Sequence, residues 1–178
     1  MEQMLEIGPG TNPRLTGKNV VYLDRRDLPL PNLIIWNLQN LPLPFPDDTF
    51  DECQAHQVFE HIPSLAPVFD EIHRILKPAG LLKLGVPHYK GELLEGPWLD
   101  HVHQFTEHTF KNLEIDTCTK KWMIFYMKVE RYKDRASLIT KRGRVIKSVK
   151  LRKLVWRIFN FWKLNLPIHM NVEIRPVK

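Results

Sequence analysis

The chain has 178 residues, 43% of them apolar and 26% charged, with a net charge of +6. These values describe one domain, spanning 1–178, with a core of its own. They exclude a disordered tail, a collagen-like fibre and a membrane bundle. No apolar run reaches the ~20 residues that span a bilayer. Met1-Glu2-Gln3-Met4 lacks the basic start and apolar core of a signal peptide. Cys53 and Cys118 form neither a disulfide framework nor a zinc-ligand spacing, so a reduced, cytoplasmic compartment is expected.

The charge is unevenly spread. Residues 1–89 carry 7 Lys/Arg and 11 Asp/Glu, whereas residues 90–178 carry 19 and 9. Between 128 and 163, 13 basic residues face only Glu130 and Asp134. Such a block suits an acidic partner: lipid headgroups, nucleic acid or a phosphorylated substrate. A solvated helix face is the plainer alternative.

In chain order, residues 4–7 predict a strand that stops at Gly8-Pro9-Gly10-Thr11-Asn12-Pro13. Residues 19–23 predict a second, running into Asp24, and residues 33–36 a third, ending at Asn37. A turn at Pro46-Asp47-Asp48-Thr49 precedes a fourth over 50–55. Ser64 is placed to cap a helix through Leu76, with Leu65, Val68, Phe69, Ile72, Ile75 and Leu76 at helical spacing. Lys77-Pro78-Ala79-Gly80 should stop it before a fifth strand over 81–86. Strand, helix and strand in this span make a parallel crossover unit.

Two connections are unusually short. Residues 8–18 and 24–32 leave less than the dozen or so residues, usually helical, of an ordinary parallel crossover. If these strands are parallel neighbours, loops must join them, and one sheet face loses helical cover. The C-terminal segment, a second subunit in a homodimer, or a membrane would then cover it.

Further on, Thr106 is placed to cap a short helix over 107–113, and 122–132 reads as a strand. A second strand is expected over 136–140, a helix over 145–162 and a closing strand over 171–177.

Chemistry concentrates at the strand ends. An acidic residue, Glu6, followed by Gly8-Pro9-Gly10 leaves backbone N–H groups open to a ligand. Asp24 ends the second strand, where a carboxylate can accept both ribose hydroxyls of a nucleoside. Asn37 ends the third, placed to read an adenine edge. Ligands of open α/β sheets sit beyond the carboxyl ends of the strands, so these residues converge on one crevice. Three ordinary turn residues are the alternative reading.

At this point a resemblance becomes visible. Leu5-Glu6-Ile7-Gly8-Pro9-Gly10-Thr11-Asn12-Pro13 resembles the first motif of class I S-adenosylmethionine-dependent methyltransferases. Leu41-Pro42-Leu43-Pro44-Phe45-Pro46-Asp47-Asp48-Thr49-Phe50-Asp51 is similar to that family's lead-in to its fourth strand. Val58-Phe59-Glu60-His61-Ile62 and Arg74-Ile75-Leu76-Lys77-Pro78-Ala79-Gly80 match two further motifs of the type 11 branch. The resemblance is specific over residues 2–89 and looser through Asp100-His101-Val102-His103-Gln104-Phe105-Thr106.

The resemblance implies an α/β fold: a Rossmann-like, mostly parallel sheet with shortened early crossovers and an antiparallel C-terminal edge. It implies S-adenosyl-L-methionine as cofactor, a cofactor-binding half over 1–89 and a substrate-side half over 90–178. Glu6 would orient the methionine ammonium through water or backbone, and Gly8, Pro9 and Gly10 would let the chain approach the cofactor. Asp24 matches the ribose-binding acid. Asn37 stands where the family commonly has Asp at the adenine amino group, and Leu38 would pack on the ring. His56 and Gln57 follow the fourth strand, near the methyl group; the subgroup often has Ser-His there, so this chain is shifted.

Methyl transfer needs a base only when the acceptor arrives protonated. His56 and His88 are the candidates by position; a structural histidine is the alternative for each. His101-Val102-His103 has no third ligand at a familiar spacing, so no metal is expected. The expected acceptor is a small molecule or is linked to a lipid or glycan. Trp156, Phe159, Phe161, Trp162 and Leu164 interleave with basic residues, so the segment 144–163 would dock on an anionic membrane, making the enzyme peripheral. RNA is the alternative partner, and core packing the plain reading of the same segment. A non-catalytic binding or assembly protein is opposed by the intact Glu6, Gly8, Gly10 and Asp24 set. The start of the chain, three residues before the first strand, mildly favours it.

Overall fold

A computed structural model of the chain describes residues 2–89, 99–110, 121–131 and 167–178. Seven strands form one sheet: β1 (Met4–Ile7), β2 (Val20–Asp24), β3 (Leu33–Ile35), β4 (Phe50–His56), β5 (Leu76–Pro87), β6 (Lys121–Arg131) and β7 (Pro167–Val177). Their order is β3-β2-β1-β4-β5-β7-β6. The first five are parallel, and β7 runs antiparallel to both β5 and β6. The expected mostly parallel sheet with an antiparallel edge is what forms, and the second half of the chain completes it.

The short crossovers are loops, as their length demanded. Residues 8–19 join β1 to β2 without a helix, and residues 25–32 join β2 to β3. The first loop is held by the Glu6 carboxylate, 3% exposed, which accepts the Arg14 N–H at 2.9 and 3.1 Å and the Leu15 N–H at 2.8 Å. Tyr22 donates its hydroxyl to the Leu15 carbonyl at 2.7 Å. A buried carboxylate thus supplies the amide partners that a helix would supply to itself.

The two sheet faces differ in kind. On one, Leu5, Cys53, Leu82 and Ile174 stand in register across β1, β4, β5 and β7, as do Ile7, Ala55, Leu84 and Val172; all are buried. Helix α1 (Leu65–Ile75) covers them with Val68, Phe69, Ile72 and Ile75. Each such side chain contributes roughly 1.5–3 kcal/mol on burial. The opposite face carries the row Tyr22, Glu6, Gln54, Lys83 and Glu173, with Lys83 and Glu52 paired at 2.7 Å. The face expected to need cover is therefore polar, and alternation in β4, β5 and β7 is the reason.

Two details depart from the sequence reading. Ser64 occupies the cap position of α1, but its side chain makes no capping bond. Lys77-Pro78-Ala79-Gly80 does not separate helix from strand, because β5 begins at Leu76 directly after α1. Pairing runs Phe50 to Leu76 and then Glu52 to Leu81, so a register shift absorbs the extra residues. A Cβ at Gly80 would lie 2.9 Å from the Lys77 carbonyl oxygen, so glycine makes this tight path possible.

The motifs around residues 41–51 and 74–80 turn out to be one unit. Arg74 donates to the Phe45 carbonyl at 2.8 Å, the Leu43 carbonyl at 3.1 Å, Asp47 at 2.8 Å and Glu71 at 2.7 Å. Glu71 in turn accepts the Leu43 N–H at 2.8 Å. Near the antiparallel edge, Trp122 of β6 packs edge-on against Phe69 and His73 of α1. The Thr106 hydroxyl accepts the Thr109 N–H at 3.3 Å, as its expected capping role requires. The strand expected at 136–140 and the helix at 145–162 lie outside the described residues.

Candidate active site

A cavity of about 370 Å³ opens at the carboxyl ends of β1, β2, β3 and β4. Gly8 contributes from β1; Asp24, Arg25 and Arg26 from β2; Trp36, Asn37, Leu38 and Gln39 from β3. Gln57, Val58, His61 and Ile62 follow β4, and Asp100 closes one side. Its volume falls within the ~300–1,000 Å³ of small-molecule sites. Of the residues singled out in the sequence, Gly8, Asp24, Asn37, Leu38 and Gln57 come together here.

Glycine is required at position 8 on two counts. Its φ is +64°, and a Cβ there would sit 2.4 Å from Cγ2 of Val58. Its N–H donates to the Leu23 carbonyl at 2.8 Å, binding the loop to the end of β2. Gly10, also at positive φ, hydrogen-bonds Asp24 through its backbone. Gly10, Pro9 and Glu6 shape this corner without lining the cavity: Pro9 is buried and Glu6 is engaged with the loop.

Asp24 is 6% exposed. Burial favours its neutral form, but the side-chain and backbone hydrogen bonds from Arg26 and the guanidinium charge outweigh it, so its pKa is lowered. Asn37 is exposed, and its Oδ1 accepts the Gln39 N–H at 3.0 Å, leaving a second lone pair for a donor. Leu38 is 6% exposed and presents an apolar floor beside it. Trp36, missed in the sequence reading, is fixed by its indole N–H to the Asn40 carbonyl at 2.7 Å. Its place at the end of β3, one residue before Asn37, was the available signal.

The two candidate bases lie elsewhere. His56 packs over the bare backbone of Gly85, where a Cβ would be 2.2 Å from its Nδ1. Burial, with the positive charge of Arg14 and His169, lowers its pKa to about 4, so it is neutral near pH 7. His88 is 1% exposed, with Nε2 3.2 Å from Glu107 Oε2. Neither belongs to the cavity lining. The histidine that does is His61.

Sheet order and strand-end cavity together define the class I S-adenosylmethionine-dependent methyltransferase fold. A family described as a methyltransferase domain, type 11, matches residues 15–84. Sterol 24-C-methyltransferase of Pneumocystis carinii is 28% identical, with 45% of this chain and 26% of that protein covered. Demethylmenaquinone methyltransferase of Lysinibacillus sphaericus is 32% identical over 33% of this chain and 25% of that protein. The chain thus spans about a quarter of the length of these relatives. Among solved structures, a methyltransferase from Archaeoglobus fulgidus superposes with a TM-score of 0.65 at 13% identity, covering 98% of this chain and 86% of that one. Residues 15–84 thus resemble the methyltransferase-domain family, the chain has the class I fold, and S-adenosylmethionine is the cofactor that this likeness implies. The residues present fit it: a buried carboxylate at the end of β2, a β1 loop with no room for a side chain at Gly8, and an apolar floor at Leu38.

Proposed function

We propose that the chain transfers a methyl group from S-adenosylmethionine to a small-molecule, lipid-linked or glycan-linked acceptor. The observation that carries this is the convergence of Gly8, Asp24, Asn37 and Leu38 on one cavity at the strand ends. Asp24 would accept the ribose hydroxyls, Asn37 would meet the adenine amino group, and Leu38 would pack against the ring. The bound cofactor supplies a methyl group already activated on a sulfonium. What the protein adds is orientation: fixing both partners in line provides most of the acceleration such a step needs. The carboxylate of Glu6 keeps the β1 loop in place for that purpose.

The acceptors named for two relatives, a sterol and demethylmenaquinone, support an apolar molecule. The basic, aromatic segment 144–163 supports delivery from an anionic membrane surface, with RNA as the competing partner. Calorimetric titration of the chain with S-adenosylhomocysteine tests the cofactor half of the proposal: one site is expected, and no binding sinks it. Incubation of a native extract with methyl-labelled cofactor, read by mass spectrometry, identifies the acceptor. Vesicle flotation and RNA filter binding over one salt series separate the two surfaces. RNA binding falls steeply with log salt through counterion release, whereas an inserted aromatic segment retains binding at high salt.

A further inference from the structure

Two motifs of the sequence, Glu60-His61 and Asp100-His101, take no part in binding the cofactor as described above, yet the fold brings them together. Residues 59–61 form a single 3₁₀ turn after β4. The Glu60 carbonyl accepts the Val102 N–H at 2.8 Å and the His103 N–H at 3.3 Å, while His103 Nε2 stands 3.2 Å from the Pro63 carbonyl. Segments some forty residues apart are thereby held side by side. The His61 and His101 rings meet edge to face with centroids 4.8 Å apart.

One ligand atom each from Glu60, His61 and His101 lies within 4.8 Å of the others. Glu60 is fully buried; both histidines are partly buried. We propose that these three side chains bind a divalent transition-metal ion at the edge of the cofactor cavity.

Geometry and chemistry both support this. Metal–ligand bonds to imidazole and carboxylate are ~2.0–2.2 Å, so a central ion requires each ligand atom to move by less than about 1 Å. Two imidazoles and one carboxylate favour zinc, cobalt, nickel or ferrous iron; magnesium and calcium prefer oxygen alone. Three protein ligands leave at least one open position for water or another oxygen donor. With Nε2 as its ligand atom, His61 would have the orienting contact that metal-bound imidazoles commonly show, since its Nδ1 lies 3.1 Å from the Asp100 carbonyl oxygen and 3.4 Å from its carboxylate. His61 and Asp100 also line the cavity, which places the site at its edge. The sequence pointed to no metal because residues 60 and 101 have no recognisable ligand spacing; only the path of the loops brings them together.

The test uses the whole chain, freed of metal by a chelator and titrated with cobalt(II) alone, without cofactor. Visible absorption and calorimetry should show one saturable site that zinc displaces and magnesium does not. His101→Ala and His61→Ala should each weaken cobalt binding by at least about tenfold, since even loss of an outer-shell partner costs about 10–100-fold. His108→Ala, at an exposed histidine outside the cluster, should leave it unchanged. Because Glu60 is buried, the shape-conserving Glu60→Gln replaces truncation there, with circular dichroism confirming the fold. Absence of a saturable site, or affinity unchanged in His101→Ala, overturns the proposal. So does an equal loss in His108→Ala.

Discussion

Arg26 closes on Asp24 through two parallel hydrogen bonds, Nε to Oδ1 and Nη2 to Oδ2, each 3.0 Å long. The Arg26 backbone N–H adds a third, also 3.0 Å, to Oδ1. A carboxylate 4% exposed is thus capped by a guanidinium side chain that is 56% exposed. In the proposed cofactor pose, ribose hydroxyls would compete with Arg26 for the lone pairs of this carboxylate, and the exposed guanidinium has open solvent to swing into.

Asp24→Ala should weaken S-adenosylhomocysteine binding by ~1–3 kcal/mol, through loss of hydrogen bonds to a charged acceptor. Arg26→Ala should instead hold or tighten binding, because the guanidinium competes for the same carboxylate lone pairs. Calorimetry decides, and weaker binding in Arg26→Ala would mean that the guanidinium contacts the ligand. Because the folded pKa of Asp24 is lowered, its contribution to stability is present above its unfolded value and lost as pH falls below it.

His56 should make the fold sensitive to mild acid. Its folded pKa, about 4, lies below the ordinary 6.5, so protons bind the unfolded chain preferentially between those values. Stability supported by neutral His56 is full above pH 6.5 and declines as pH drops toward 4. In His56→Gln, the fall of Tm across that window should flatten. An identical pH profile in the variant would show that His56 does not titrate as its surroundings require.

Gly8→Ala should cost at least ~1–2 kcal/mol, the penalty for a side chain at left-handed φ. The contact with Val58 adds to this, so the double variant with Val58→Ala should recover only part of the loss. Urea denaturation measures both. Full recovery would mean that the backbone angle itself is unstrained.

Arg74→Ala should destabilise the fold by ~2–4 kcal/mol, since several bonds from one charged donor are lost together. Glu71, whose pKa the Arg74 hydrogen bonds lower, would lose its partner. Its stabilising effect is present above its unfolded pKa and disappears as pH falls, so the cost should be greatest at neutral pH. A variant as stable as the parent would show that the loop over residues 41–47 is held by other contacts.

Much of this molecule was legible in its sequence because strands and turns are local. Alternation in 50–56 and 81–86, punctuated by Gly8, Asp24 and Asn37, located the first five strands and the ends where the cavity opens. Short spacing alone showed that the first two crossovers were loops. The same alternation also carried the polar character of the second sheet face, although that face was expected to need cover.

Other features depended on the path of the chain through space. Period and spacing could not show that His56 settles over Gly85 outside the cavity, that Trp36 and His61 enter its lining, or that Arg26 folds back on Asp24. Nor could they join Glu60 and His61 to His101, or place β7 between β5 and β6. The sequence determined which segments are strands, which turns are open and which polar residues stand at the strand ends, because those follow from backbone preference and side-chain alternation over a few residues. Tertiary structure alone decided which side chains meet across forty or more positions, because such contacts follow from long-range sheet pairing and loop closure, which leave no periodic trace in the chain.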